Sequence, residues 1–127
     1  MCGISGMIGS PEPSVVRDMT RLQHHRGPDG TGFWNDENIS LGHARLAIVD
    51  LEGSPQPIKS DHGCILIVNG EIYNYQQLRD GNREYPWNTS GDSESILALH
   101  RNATQKITQP TADDCLLYTA DAADDVV

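Results

Sequence analysis

A cysteine stands at position 2, directly behind the initiator methionine, in the stretch MCGISGMIG. Loss of Met1 would make Cys2 the terminal residue, with a thiol and a free α-amine on one residue. The small side chain at position 2 suits the aminopeptidases that trim methionine. A terminal α-amine titrates near pH ~8, well below a lysine. It can act on the thiol as a general base, directly or through one water. Nucleophile and base then share a residue, and no histidine is required. The plainer alternative is that Cys2 is a small buried side chain, since buried thiols are mostly inert packing.

Three other places have residue types that suit the same chemistry. Arg45 stands at the mouth of an apolar run over residues 44–50. A planar guanidinium there needs an anion and matches a carboxylate in bidentate fashion. That anion is either a ligand or a protein carboxylate such as Asp50 or Glu71. Asn69-Gly70 follows a β-branched run, where Asn-Gly is first of all a turn signal. The functional alternative is an oxyanion hole built from the Asn69 amide and the Gly70 N–H. Losing one such donor typically costs ~3 kcal/mol of barrier. Asp92 either caps the helix that follows it or binds a cationic amine. His24 and His25 are adjacent and so point apart, with no partner at ligand spacing. They read as part of a loop, with no metal assigned.

These residues need elements to carry them. Ile4, Met7 and Ile8 among glycines predict a short strand closely approached by its neighbours. Val15, Val16, Met19 and Leu22 recur at helical spacing over residues 14–24, with Ser14 as the expected N-cap. Gly27-Pro28 must end that helix. Residues 32–34 and 39–43 read as two strands joined by a polar turn. Gly53, Pro55 and Pro57 mark a loop over residues 51–61. Residues 64–68 predict a central strand buried on both faces. Short helices are expected over residues 75–79 and 95–100.

The chain has 127 residues, 37% of them hydrophobic, which allows one domain with a modest core. A net charge of −9 argues against nucleic acid and anionic membrane surfaces as partners. No apolar run approaches the ~18 residues of a membrane span, and the N-terminus does not read as a signal peptide. Cys2, Cys64 and Cys115 are odd in number and lack CxxC spacing, which predicts a reducing, cytoplasmic setting.

Taken together, MCGISGMIG, RGPDGTGFW, LGHARLAIVDLEGSPQPI, NGEIYNYQQLR and SGDSES occur in the order found in class II glutamine amidotransferase domains. Residues 1 to about 100 resemble in particular those of the glutamine-hydrolysing asparagine synthetases. The resemblance implies an α+β fold of the N-terminal nucleophile hydrolase type. That fold is a four-layer αββα sandwich with two antiparallel sheets, present here only in part. It also implies that Cys2 attacks the side-chain amide of L-glutamine and releases ammonia. Asn69 and Gly70 match the family's oxyanion hole, and Arg45 the residue that holds the glutamine α-carboxylate. Glu71 and Asp92 match acidic residues that read the amino end and the amide. Leu46, Ala47, Ile48 and Val49 match the adjoining pocket wall.

The resemblance further implies ATP-dependent asparagine synthesis from aspartate by the parent protein, with room for a homodimer. ATP and magnesium are implied only for the synthetase half, whose SGG-type loop is not found in this sequence; no cofactor is expected in this chain. An amidotransferase serving another acceptor is the alternative, as is an inactive fragment that at most binds glutamine. Residues 1–102 are expected to be an incomplete amidotransferase domain. Residues 103–127 look unlike the family and resemble a read-through artefact, which would leave Cys115 without meaning.

Overall fold

The computed structural model describes residues 1–47 and 54–105. The chain divides into two units. The first comprises Met1–Lys59 and Ile65–Asn69, and the second Ser60–Cys64 and the chain from Gly70 onward.

In the first unit, alternating small and apolar residues make a three-stranded antiparallel sheet in the order β1-β3-β2. Its strands are β1 (Gly3–Ile8), β2 (Gly30–Asn35) and β3 (Ile39–Arg45). β1 and β2 flank β3, with Gly3 opposite Ala44 and Gly30 opposite Arg45. Asp36 closes the β2–β3 turn by accepting from the N–H groups of Asn38 at 2.7 Å and Ile39 at 2.8 Å. Helix α1 (Pro13–Leu22) covers one face. It begins one residue before the expected Ser14 cap: Pro13 takes the first turn, where its missing N–H costs nothing.

The helix lies close because that face of the sheet has little bulk. A side chain at Gly42 would collide with the Thr20 hydroxyl, and one at Gly3 with the Gln23 side chain. Val16 and Thr20 are fully buried. Thr20 gives its hydroxyl proton to the Val16 carbonyl at 2.7 Å. The Ser5 hydroxyl, 2.7 Å from Thr20 Oγ1, therefore donates to it and seals α1 to β1. Arg17 stacks over Phe33 with 5.2 Å to the ring centroid.

The opposite face of the sheet meets the second, two-stranded sheet. It pairs β4 (Ile58–Lys59) with β5 (Ile65–Leu66) in antiparallel fashion. Gly32 faces this way, and a side chain there would strike the Gln56 carbonyl. Ile58 and Leu66, opposite each other in this sheet, are buried. Two antiparallel sheets with helices accord with part of the αββα sandwich. The run over residues 64–68 forms a shorter strand than its composition suggests. The Val68 N–H goes to Gln56 Oε1 at 2.7 Å and its carbonyl to the His43 ring at 3.1 Å. Side chains thus take the place of ladder partners, and β5 stops at Leu66.

In the second unit, α2 (Tyr75–Gly81) and α3 (Glu94–Thr104) carry the core residues Tyr85, Ile96, Leu97 and Ala98 between and along them. Glu94 is fully buried. Its carboxylate accepts from Asn88 N–H at 2.9 Å, and from Thr89 N–H and Thr89 Oγ1 at 2.7 Å each. Arg79 stacks on Trp87 at 4.2 Å and donates to the carbonyls of Thr89 at 2.7 Å and Gly91 at 3.2 Å. Among the described residues, no helix is long and apolar enough to cross a membrane.

Candidate active site

β1 begins at Gly3, so Cys2 is the last residue before the sheet and inherits its position. Its thiol lies against the end of β3, where the Leu46 N–H donates to Sγ at 3.3 Å. The thiol in turn faces the Leu46 carbonyl at 3.6 Å. The Cys2 carbonyl accepts from Arg26 Nε at 3.1 Å. Met1, ahead of it, is 73% exposed.

The RGPDG loop determines where this corner sits. A side chain at Gly27 would run into the Ala44 carbonyl, so the loop crosses β3 backbone to backbone. The Asp29 N–H donates to the Arg45 carbonyl at 2.9 Å, and Asp29 Oδ2 accepts from the Ala47 N–H at 2.8 Å. Residues 45–47 are thereby fixed from both sides, and Leu46 is held with its N–H towards the sulfur. Arg45, Leu46 and Ala47 are all half-buried. Ile48 and Val49, the rest of the expected pocket wall, lie outside the described residues.

His43 is nearly fully buried on the sheet's second face. Since a carbonyl only accepts, Nε2 carries the proton that meets Val68. Burial lowers its pKa below the usual histidine value and the nearby Arg45 charge adds to this, while the bond to Val68 opposes it. Nδ1 is buried and has no hydrogen-bond partner among the described residues. A neutral imidazole and Gln56 thus clamp both backbone groups of Val68, the residue just before Asn69. Asn69 ends the first unit and is exposed.

Gly70, Glu71 and Asp92 belong to the second unit. Gly70 is exposed and Glu71 half-buried. Asp92 does not cap α3 with its side chain: Ser93 occupies the cap, and the Asp92 carboxylate accepts from the Ile72 N–H at 2.7 Å. It therefore ties the start of α3 to the chain that follows Gly70-Glu71. This bond spans 20 residues, and the local spacing suggested only the nearer helix end.

The profile of the glutamine amidotransferase domain matches residues 1–113. The chain belongs to this family. The amidotransferase chain is similar to asparagine synthetase [glutamine-hydrolyzing] 1 of Bacillus subtilis (strain 168), at 36% identity over 112 residues. That match covers 80% of this chain and 18% of the relative. Asparagine synthetase B [glutamine-hydrolyzing] of Escherichia coli (strain K12) is 40% identical over 109 residues, covering 80% of this chain and 20% of its own. Asparagine synthetase [glutamine-hydrolyzing] of Brassica oleracea is 35% identical over 106 residues, covering 79% of this chain and 18% of its own. The amidotransferase chain thus spans about a fifth of the length of these relatives.

The supporting residues Gln23, Arg26, Asp29, His43 and Gln56 were not identified from the sequence. Gln23 reaches across 19 residues to the Ile4 carbonyl.

Proposed function

We propose that this chain carries the glutamine-hydrolysing site of an asparagine synthetase. The observation that supports this best is the Leu46 N–H at 3.3 Å from Cys2 Sγ, inside a matched amidotransferase domain. After Met1 is lost, the new α-amine takes the thiol proton and the sulfur attacks the amide carbon of glutamine. Asn69 and Gly70 stabilise the oxyanion of the tetrahedral intermediate. Collapse expels ammonia, which leaves with the proton, and forms a γ-glutamyl thioester. Water then cleaves the thioester to give glutamate and the free thiol. Arg45 binds the α-carboxylate, while Glu71 and Asp92 read the α-amine and the amide. Residues 46–49 form the pocket wall.

The relatives' names support asparagine as the fate of the ammonia. No residue of this chain is assigned to ATP or magnesium, and no step here runs through them. The spacing and number of the cysteines support a reducing, cytoplasmic compartment.

Glutamate release from glutamine, with intact mass to follow Met1, tests this reading. Cys2→Ala should abolish release, and retained turnover would sink the mechanism. Arg45→Ala should raise KM at least ~tenfold, as expected for loss of a bidentate charged contact. An unchanged KM would remove Arg45 from the carboxylate role.

A further inference from the structure

The second unit holds a cluster that glutamine chemistry does not use. His62, Cys64 and His100 each present a ligand atom, and these atoms lie within 4.8 Å of one another. We propose that they bind one zinc-class divalent cation, with water in the fourth position.

The donor set suits such an ion: one thiolate and two imidazoles, bonding at about 2.0–2.3 Å in a tetrahedron. The ligand atoms of a tetrahedral site stand roughly 3.5 Å apart, a distance that follows from those bond lengths. Cys64 Sγ and His100 Nδ1 are already 3.7 Å apart. His62 is on an exposed turn, where its ring has room to rotate and complete the set. The rings of His62 and His100 lie nearly parallel, at 11°, with centroids 6.1 Å apart, so the His62 ring must turn before both in-plane lone pairs meet at one cation.

The scaffold is rigid where it needs to be. The turn over residues 60–64 is closed by Ser60 N–H to the Cys64 carbonyl and by Cys64 N–H to Ser60 Oγ, both at 2.9 Å. Gly63, at φ +89°, supplies the left-handed residue that the turn needs. Two ligands therefore come from one locked turn, and the third is a buried residue of α3.

Beside the ligands, Asp61 Oδ1 accepts from His62 Nδ1 at 2.9 Å. A carboxylate on one imidazole nitrogen orients the ring and leaves Nε2 for the metal, a common arrangement around zinc. Asp61 also engages Arg101 at 3.6 Å. The thiolate and Asp61 together offset two of the three positive charges carried by the cation and that guanidinium. A bound ion would staple the turn to α3. This inference does not depend on the glutaminase reading.

The full chain, reduced, is titrated with cobalt(II) alone and the cobalt is then displaced with zinc. A sulfur-to-cobalt charge-transfer band saturating at about one ion per chain is expected. Cys64→Ser should remove the band. His62→Gln, at an exposed turn position, should leave the circular dichroism unchanged and weaken binding at least ~tenfold. Cys2→Ser and Cys115→Ser should keep the band. The proposal is overturned by the absence of a band in the unmodified chain, by its survival in Cys64→Ser, or by its loss in Cys2→Ser.

Discussion

The two units hold their loops by opposite means. In the first, the corner around Cys2 is built on a backbone crossing, Gly27 over the Ala44 carbonyl and Asp29 N–H on the Arg45 carbonyl, to which the Arg26 and Asp29 side chains add one bond each. In the second, the loop over residues 88–91 is fixed by two charged side chains, Glu94 from α3 and Arg79 from α2. A backbone crossing fails when anything is added to it. A charged clamp fails when its charge or reach is taken away.

That contrast is broken most directly at Glu94. Glu94→Ala leaves three donors without their buried acceptor, and a loss of ~3–5 kcal/mol is expected from urea unfolding. A loss below ~1 kcal/mol would show that water replaces the carboxylate freely. Gly27→Ala tests the opposite failure. Its new methyl meets main-chain atoms that cannot swing aside, so a cost of ~1–3 kcal/mol is expected. Glutamine turnover should fall with it, because residues 45–47 must move.

A smaller effect sharpens the comparison through pH. His43 is held neutral by burial, with its pKa depressed in the fold. Its stabilising contribution is complete above the ordinary histidine pKa of ~6.5 and is lost as pH falls below that value. The urea midpoint should therefore drop between about pH 7 and pH 5. His43→Gln keeps a donor for Val68 and should flatten that drop; an equal drop in both proteins would assign it elsewhere. The smallest effect is expected at Asp18, whose pair with Arg21 at 3.0 Å is 71% and 74% exposed. Asp18→Ala should shift stability by less than ~0.5 kcal/mol.

Much of the fold could be read from local pattern. β1, α1, the β2–β3 hairpin and both later helices lie where periodicity and turn residues put them. Cys2 beside Met1 was legible as the candidate nucleophile on which the proposed mechanism rests. What escaped was contact across the chain. Residues 64–68 looked like a full central strand because composition records burial, whereas Gln56 and His43 end the ladder from 12 and 25 residues away. Asp92 had the type and place of a cap, but a backbone N–H 20 residues back is its partner. His62-Gly63-Cys64 is too short a signal by itself, and its third member lies 36 residues beyond Cys64.

The position of Cys2 has a practical consequence. Its carbonyl is pinned by Arg26 and the strand starts at the next residue, while Met1 lies outside this arrangement. An affinity tag or fusion partner placed ahead of Met1 would leave β1 in register with β3. The product would purify, melt and scatter light like the untagged protein. On the proposed mechanism it would be chemically silent, because the amine proposed to accept the thiol proton would be locked in a peptide bond. Expression vectors for this chain should carry their handles at the other end.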